Sequence, residues 1–458
     1  MVKQGEDSAQ YIKMTTMPVG KLVARLAVPT ITSMLVTNIY NLVDTMFVGM
    51  INTEASGAVS VVFGFMAIIQ AIGFMFGHGA GSILSRKLGE KDREGASRIA
   101  STAFLSVLII GTILAIASMA GSKDLVYLLG STDEIAPYAQ KYLFCILIAT
   151  PFTMASFVMN NALRYEGRAV LGMIGILAGA VLNIAGDPIL MFGCGLGIVG
   201  AGMATAIGQI AGFVILFIIY SRGKTAVILD IHKITKDIRE MGDILGTGFP
   251  SLVRQGLTSI ATIILNNAAE PYGKEAIAAM GIVGKVGFFV FAIALGVGQG
   301  FQPVSAMNYG AGKFKRVRDA YKFTNLMAEA LMFLAAVPVF IFAGPIIRRM
   351  RDDEEVIRIG IRALRIYLAA LFTLPPCMVT EMLYQSTGHK LGASILSSLR
   401  SGLFFIPLII ILSRLRGLSG IQEAQPLAFI LAVVPSLFMA VVFFRKLPKE
   451  DINKSKKA

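Results

Sequence analysis

The chain has 458 residues, of which 55% are hydrophobic and 15% charged, and its mean hydropathy is +0.70. That balance excludes an ordinary soluble globular protein and reads as an all-α membrane protein. The formal net charge of +14 would suggest nucleic acid as a partner of a soluble chain, so the placement of the charge has to decide.

About 20 consecutive apolar residues cross the roughly 30 Å hydrocarbon layer as a helix, and a helix satisfies its own backbone groups in lipid. On that criterion twelve spans are predicted, near 22–48, 57–84, 98–121, 137–162, 169–193, 196–221, 243–269, 276–303, 321–346, 363–387, 391–413 and 424–445. The polar leader 1–21 lacks the apolar segment and cleavage site of a signal peptide, so the first helix is expected to stay in the mature protein.

In the first span Thr30, Ser33, Thr37, Tyr40, Asn41 and Asp44 recur every three or four residues and share one helix face. The Ser and Thr members read as hydrogen-bonding glue between helices. Asp44 is different, because a charge at mid-membrane costs about 2.5–3.5 kcal/mol on insertion scales and marks a functional position.

In the fifth span Asn183 and Asp187 lie one turn apart, and Pro188 follows. Pro188 has no N–H to offer the carbonyl of Ile184, so a kink is expected there. Two side-chain oxygens beside a freed backbone oxygen make a cation or proton site. A plainer reading has Asp187 capping the half-helix beyond the kink.

Basic residues collect in alternate loops: Arg86, Lys87, Lys91, Arg93 and Arg98; Arg164 and Arg168; Arg222, Lys224, Lys233, Lys236 and Arg239; Lys313, Lys315, Arg316 and Arg318. The tail adds Arg445, Lys446, Lys449, Lys454, Lys456 and Lys457. By the positive-inside rule these loops and both termini face the cytoplasm, in a multi-pass protein of the cytoplasmic membrane. The loop 348–362 and the pair Arg414 and Arg416 break the pattern. Nucleic acid is not needed to explain the charge.

Cys145, Cys194 and Cys377 are isolated in different spans, and His78, His232 and His389 are scattered, so no metal site is expected. There is no phosphate-binding Gly-rich loop of the Walker type. No cofactor is implied, and no enzyme.

The two halves repeat. Residues 73–96 align with 296–320 at a shift of 223, pairing Gly73 with Gly296 and Gly89 with Gly312, and placing Asp44 on Asn267. Farther on, Gly167 meets Gly388 at a shift of 221, and 197–200 meets 417–420 at 220. Two pseudo-symmetric six-helix lobes in the same orientation follow, because each repeat holds an even number of spans. The expected organisation is an N lobe at 1–221, an inter-lobe linker at 222–242, a C lobe at 243–446 and a basic tail at 447–458.

The set "NLVDTMFVG" (41–49), "GHGAGSILSRKLGEKD" (77–92), "LRYEGRA" (163–169), "LNIAGDPILMFGCGLGIVGAGMATAIGQ" (182–209), "QPVSAMNYGAGKFKRV" (302–317) and "STGHKLGA" (386–393) resembles the multidrug and toxic compound extrusion family, MATE. The resemblance implies a two-lobed antiporter working by alternating access, in which inward H⁺ or Na⁺ drives the export of small organic, often cationic, drugs, and which acts as a monomer. In one branch of the family the coupling site lies in the N lobe. Carried over to this chain, it comprises Asp44, Asn183, Asp187 and Thr205, with Tyr40, Asn41, Tyr142 and Asn160 as neighbours. Another branch uses acids in the C lobe, a pattern from which the seventh span departs by holding Arg254 and Gln255 instead. Glu381, Arg254 and Asn267 are candidate C-lobe substrate contacts, and Arg400 and Glu329 read as structural.

Two alternatives share parts of this pattern. A lipid-linked saccharide flippase would use Arg254, Lys285 and Arg400 for pyrophosphate. An intramembrane aspartyl protease would use two aspartates to activate water, but "IAGDP" lacks the Gly-x-Gly-Asp pattern such an enzyme needs.

Overall fold

The computed structural model describes residues 2–223 and 225–452, and side chains from residue 9 onward. Lys224, Lys454, Lys456 and Lys457, and with them half of the expected basic tail, lie outside the described residues. Among the described residues there is no β-strand.

A helix α1 (Val2–Thr16) occupies the polar leader and precedes α2 (Val19–Gly49). Next come α3 (Thr53–Gly89), α4 (Arg93–Ala120), the short α5 (Ser122–Leu128) and α6 (Ala136–Tyr165). Helix α7 (Ala169–Pro188) runs into a π turn, Ile189–Gly193, and α8 (Ile198–Ser221) follows. The second half holds α9 (Ile238–Ala269), α10 (Gly273–Gly310), α11 (Phe314–Ile341), α12 (Ala343–Met350), α13 (Glu354–Leu371) and α14 (Leu374–Ser386). It ends with α15 (Lys390–Ser398), a π turn at Leu399–Leu403, α16 (Phe405–Arg416) and α17 (Leu418–Lys446).

Ten of these stretches are long and apolar enough to cross a membrane. One of them, Ile238–Gly310, has 73 residues and would be about 110 Å long if straight, far more than a bilayer. It divides at the 3₁₀ turn Glu270–Tyr272, where Pro271 enters and Gly273 takes φ of +89°. The pair α13 and α14, bent by 51°, supplies a further broken span, so twelve segments among the described residues have the length and composition of a crossing.

The chain forms two compact units, Met1–Lys13 with Thr32–Gly248 and Met14–Ile31 with Phe249–Ala458. Helix α2 belongs to both, its first part to the second unit and its remainder to the first, and Pro29 lies just before the handover.

In the first unit α3, α4 and α6 pack around a core that includes Phe65, Phe76, Val107, Tyr142 and Met154. Segment 225–240, which falls within this unit, is stitched to α4. Ser97 Oγ accepts from Ile228 N–H at 3.1 Å, Ser101 Oγ from Asp230 N–H at 3.0 Å, and Arg98 forks onto Glu240 at 2.7 and 3.0 Å. Glu166, fully buried, accepts the amides of Ala226 and Val227.

In the second unit the start of α2 packs on α10. A Cβ on Gly300 would lie 2.6 Å from Ala27 Cα, and one on Gly296 would lie 2.7 Å from Ile31 Cα, so only glycine permits these crossings. Lys313 and Arg316 donate to the carbonyls of Thr15 and Met17 at 2.8 and 2.7 Å.

The internal repeat is written in the backbone. Gly197 (φ 54°, ψ −130°) and Gly417 (φ 60°, ψ −136°) open α8 and α17 in the same left-handed conformation. Gly167 and Gly388 match likewise, with φ of 82° and 88°. Near α3 and α10, however, Lys91 (φ 67°) corresponds to Gly312 (φ 73°), and Gly89 and Gly310 end their helices. The register there is 221 rather than the expected 223. Glycines abound in membrane helices, so letter matches alone slip by part of a turn. Asn267 is therefore not the counterpart of Asp44.

Candidate functional site

Helices α7 and α8 meet along a seam of glycines. A Cβ on Gly179 would fall 2.7 Å from Gly208 O, one on Gly208 would fall 2.6 Å from Gly179 O, and Gly175 and Gly212 repeat the contact one turn away. Small residues four apart on both helices bring backbone against backbone. Gly175, Gly179, Asn183 and Asp187 are spaced by four, so the seam and the polar pair share one face of α7.

Where the seam ends, the polar residues take over. Asn183 Nδ2 donates to Thr205 Oγ1 at 3.1 Å, and both residues are buried. Asp187 is 0% exposed and Asp44, on α2, is 7% exposed. The two carboxyl groups act on each other electrostatically. Tyr142, buried on α6, lies within hydrogen-bonding reach of Asp44 and of Thr205.

Four buried oxygens in this cluster have no hydrogen-bond partner: Asp44 Oδ1, Asn183 Oδ1 and both carboxyl oxygens of Asp187. Buried polar atoms are rarely left in this state, since each forfeits its hydration without replacement. Hard oxygens on α2 and α7, two of the residues acidic, are what a proton or a small monovalent cation requires. No group of three or more His, Cys, Asp or Glu side chains gathers as a metal cluster among the described residues.

The helix does not break at Pro188, which has helical φ and ψ of −64° and −32°. It ends there and passes directly into the π turn at 189–193, where Cys194 N–H donates to Ile189 O at 2.8 Å. The irregularity expected at Pro188 takes the form of a π turn just beyond it, and the unpartnered atoms of the cluster are side-chain oxygens.

Of the other expected residues, Tyr40 joins the cluster's edge as acceptor of a long 3.5 Å hydrogen bond from Gln209 Nε2. Gln209 was not singled out by the sequence, although it lies one turn beyond Thr205. Asn41 is half-buried on α2, its carbonyl accepting from Thr45 at 2.8 Å. Asn160 rests on Gly172 of α7, three turns or roughly 16 Å from Asn183 along that helix, and so stands apart from the cluster.

In the second unit, Arg254 Nη1 donates to Glu381 Oε1 at 2.6 Å, and both are buried. Asn267, Lys285 and Glu329 are exposed. Arg400 is buried with its guanidinium 4.6 Å from the centroid of the Phe291 ring.

A family model described as MatE matches residues 29–189 and 250–411. Multidrug export protein MepA of Staphylococcus aureus (strain N315) is 29% identical over 406 residues, 88% of this chain and 89% of the relative. MepA of Staphylococcus haemolyticus is 27% identical over 403 residues, 88% of each chain. Among solved structures, a multidrug resistance MATE family transporter of the MOP superfamily in its outward-facing conformation matches with a TM-score of 0.90 at 24% identity, covering 96% of this chain and 99% of that one. A MOP superfamily transporter from Pyrococcus furiosus gives the same values.

Proposed function

The chain belongs to the MATE family of membrane transporters, which are not enzymes, and from that premise we propose that it is a cation-coupled antiporter exporting small organic, often cationic, compounds across the cytoplasmic membrane. The names of the relatives, multidrug export proteins, support the class of cargo. The observation that carries the coupling is the group of four unpartnered buried oxygens on Asp44, Asn183 and Asp187.

Two carboxyl groups close together in a low-dielectric interior do not both stay ionised unless a cation joins them. H⁺ or Na⁺ arriving at Asp44 and Asp187 removes that conflict, with Thr205 steering Asn183 into the same set. Occupancy changes how tightly α2 is drawn towards α7 and α8, and this reshapes the first or fifth span and expels the drug outward. Alternating access then follows from two arrangements of the unit, one favoured by the ion and one by the drug. The basic loops support an orientation with both termini in the cytoplasm.

Efflux from proteoliposomes under separately imposed pH and sodium gradients tests this reading. One gradient drives export in the wild type, and Asp44→Asn and Asp187→Asn each reduce it to the level of protein-free liposomes. Wild-type rates in both variants would sink the proposal.

A further inference from the structure

Each half of the chain leaves its last long helix on an extramembrane segment, the linker after α8 and the tail after α17. In the first unit that segment is laced to α4, where Ile228, Asp230 and Thr235 donate backbone N–H groups to the hydroxyls of Ser97, Ser101 and Thr102. In the second unit the tail is laced to the start of α11. Asp451 Oδ1 accepts from Lys315 N–H at 2.9 Å, Ile452 N–H donates to Gly312 O at 2.9 Å, and Arg318 Nη2 donates to Leu447 O at 2.8 Å. The internal repeat thus extends past the membrane helices.

The two lacings differ at one position. At the register of 221, Lys313 stands where the first unit has Asp92, and the two share nearly the same backbone conformation, φ −94° and ψ 67° against φ −86° and ψ 82°. Asp92 caps its own helix, accepting from Gly95 N–H. A lysine side chain has no acceptor, and Lys313 makes no cap, so the first amides of α11 need an oxygen from elsewhere. Asp451 supplies it from the tail. Lys313 turns instead to the chain just ahead of α2, its Nζ donating to Thr15 O at 2.8 Å, while Arg316 donates to Met17 O at 2.7 Å and Asn308 to Met14 O at 3.1 Å. Asp451 also acts electrostatically on both Lys313 and Arg316.

We propose that the C-terminal tail is a strap: Asp451 is the N-cap that α11 lacks, and through the start of α11 it holds the clamp of Lys313 and Arg316 on the chain entering α2. When the strap opens, the clamp loosens and the entry to α2 is released from its unit. The device goes beyond the proposed coupling, and it makes no use of Asp44 or Asp187.

The test is amide hydrogen exchange, followed by mass spectrometry, on the purified full chain without any gradient, so failure of coupling and failure of the strap remain separate. Asp451→Ala should speed exchange about fivefold across 313–318, the worth of one N-cap, and raise it across 14–21 as well. Asp451→Asn, which caps as well as Asp but carries no charge, should stay within about twofold of the wild type. Lys449→Ala, at an exposed neighbouring position of the tail, should change neither segment. Lys313→Asp gives α11 the cap that Asp92 gives α4, so adding Asp451→Ala to it should no longer speed exchange across 313–318. Unchanged exchange in Asp451→Ala, a rise confined to the tail, the same rise in Lys449→Ala, or full sensitivity to Asp451→Ala in the Lys313→Asp background would overturn the assignment.

Discussion

Asn183 spends its amide N–H on Thr205, at 3.1 Å, and so holds its oxygen Oδ1 free in the company of two carboxyl groups. The hydroxyl of Thr205 thereby decides which end of the amide belongs to the site. Thr205→Val removes the acceptor and lets the amide turn. The ion concentration giving half-maximal efflux should rise about tenfold, as for other groups that orient a ligand, while Thr205→Ser stays near wild type. An unchanged midpoint in Thr205→Val would separate Asn183 from ion binding.

The seam beneath the site allows no side chain. Gly179→Ala places a methyl 2.7 Å from Gly208 O, so α7 and α8 must part, at a cost of about 1–3 kcal/mol. A lower unfolding temperature together with a weaker ion response is expected. Gly64→Ala, whose Cβ meets only Leu129 at 3.9 Å, should cost little and serves as the control in the same thermal assay.

Glu381→Ala leaves Arg254 buried without its partner. Loss of one member of a buried pair costs about 3–5 kcal/mol, whereas apolar replacement of both members is close to neutral. The single variant should therefore melt well below the wild type, and the double variant Arg254→Met, Glu381→Met should recover part of the difference, because the buried Arg400 still loses the carboxylate that acts on it. Equal melting of the two variants would mean that the pair is not coupled.

Asp92 caps α4 by accepting the amide of Gly95 at 2.8 Å and meets Lys87 at 3.1 Å. The backbone amide first, and Lys87 after it, hold its carboxyl below the usual value of 3.8. Folding lowers this pKa, so the carboxylate adds stability above the ordinary Asp range and loses it as pH falls through the folded value. Asp92→Ala should cost about 1 kcal/mol near neutral pH. The gap in unfolding temperature from the wild type should narrow as the pH drops below about 4.

The sequence disclosed the acidic cluster because a charge in a membrane helix is expensive: Asp44, Asn183 and Asp187 stand out on grounds of cost and spacing alone. Thr205 became visible only through family resemblance, since a threonine in such a helix usually bonds its own backbone, as Thr30 does to Leu26 O at 2.8 Å. Gln209 and the stacking of Arg400 on Phe291 depend on how different helices meet, which no local pattern encodes. Pro188 read as a kink because proline normally removes a hydrogen bond, and the π turn that follows it has no sequence signature. The repeat was legible where glycines take positive φ, at Gly167 and Gly197, and slipped by two residues where glycines only line a helix face.

The glycine seam has a thermodynamic consequence for the coupling proposed at Asp44, Asn183 and Asp187. A ligand set held by long flexible side chains must freeze them each time it fills, whereas Gly175, Gly179, Gly208 and Gly212 have no rotamers to lose. Asn183 and Asp187 extend one turn at a time from that rigid contact. Their short side chains arrive already ordered, so the entropy of assembling the site was spent when the protein folded rather than in every transport cycle. On the proposed coupling, ion affinity would be governed chiefly by the balance between shedding water and meeting fixed oxygens, and tuning it would call for changes in charge rather than in stiffness.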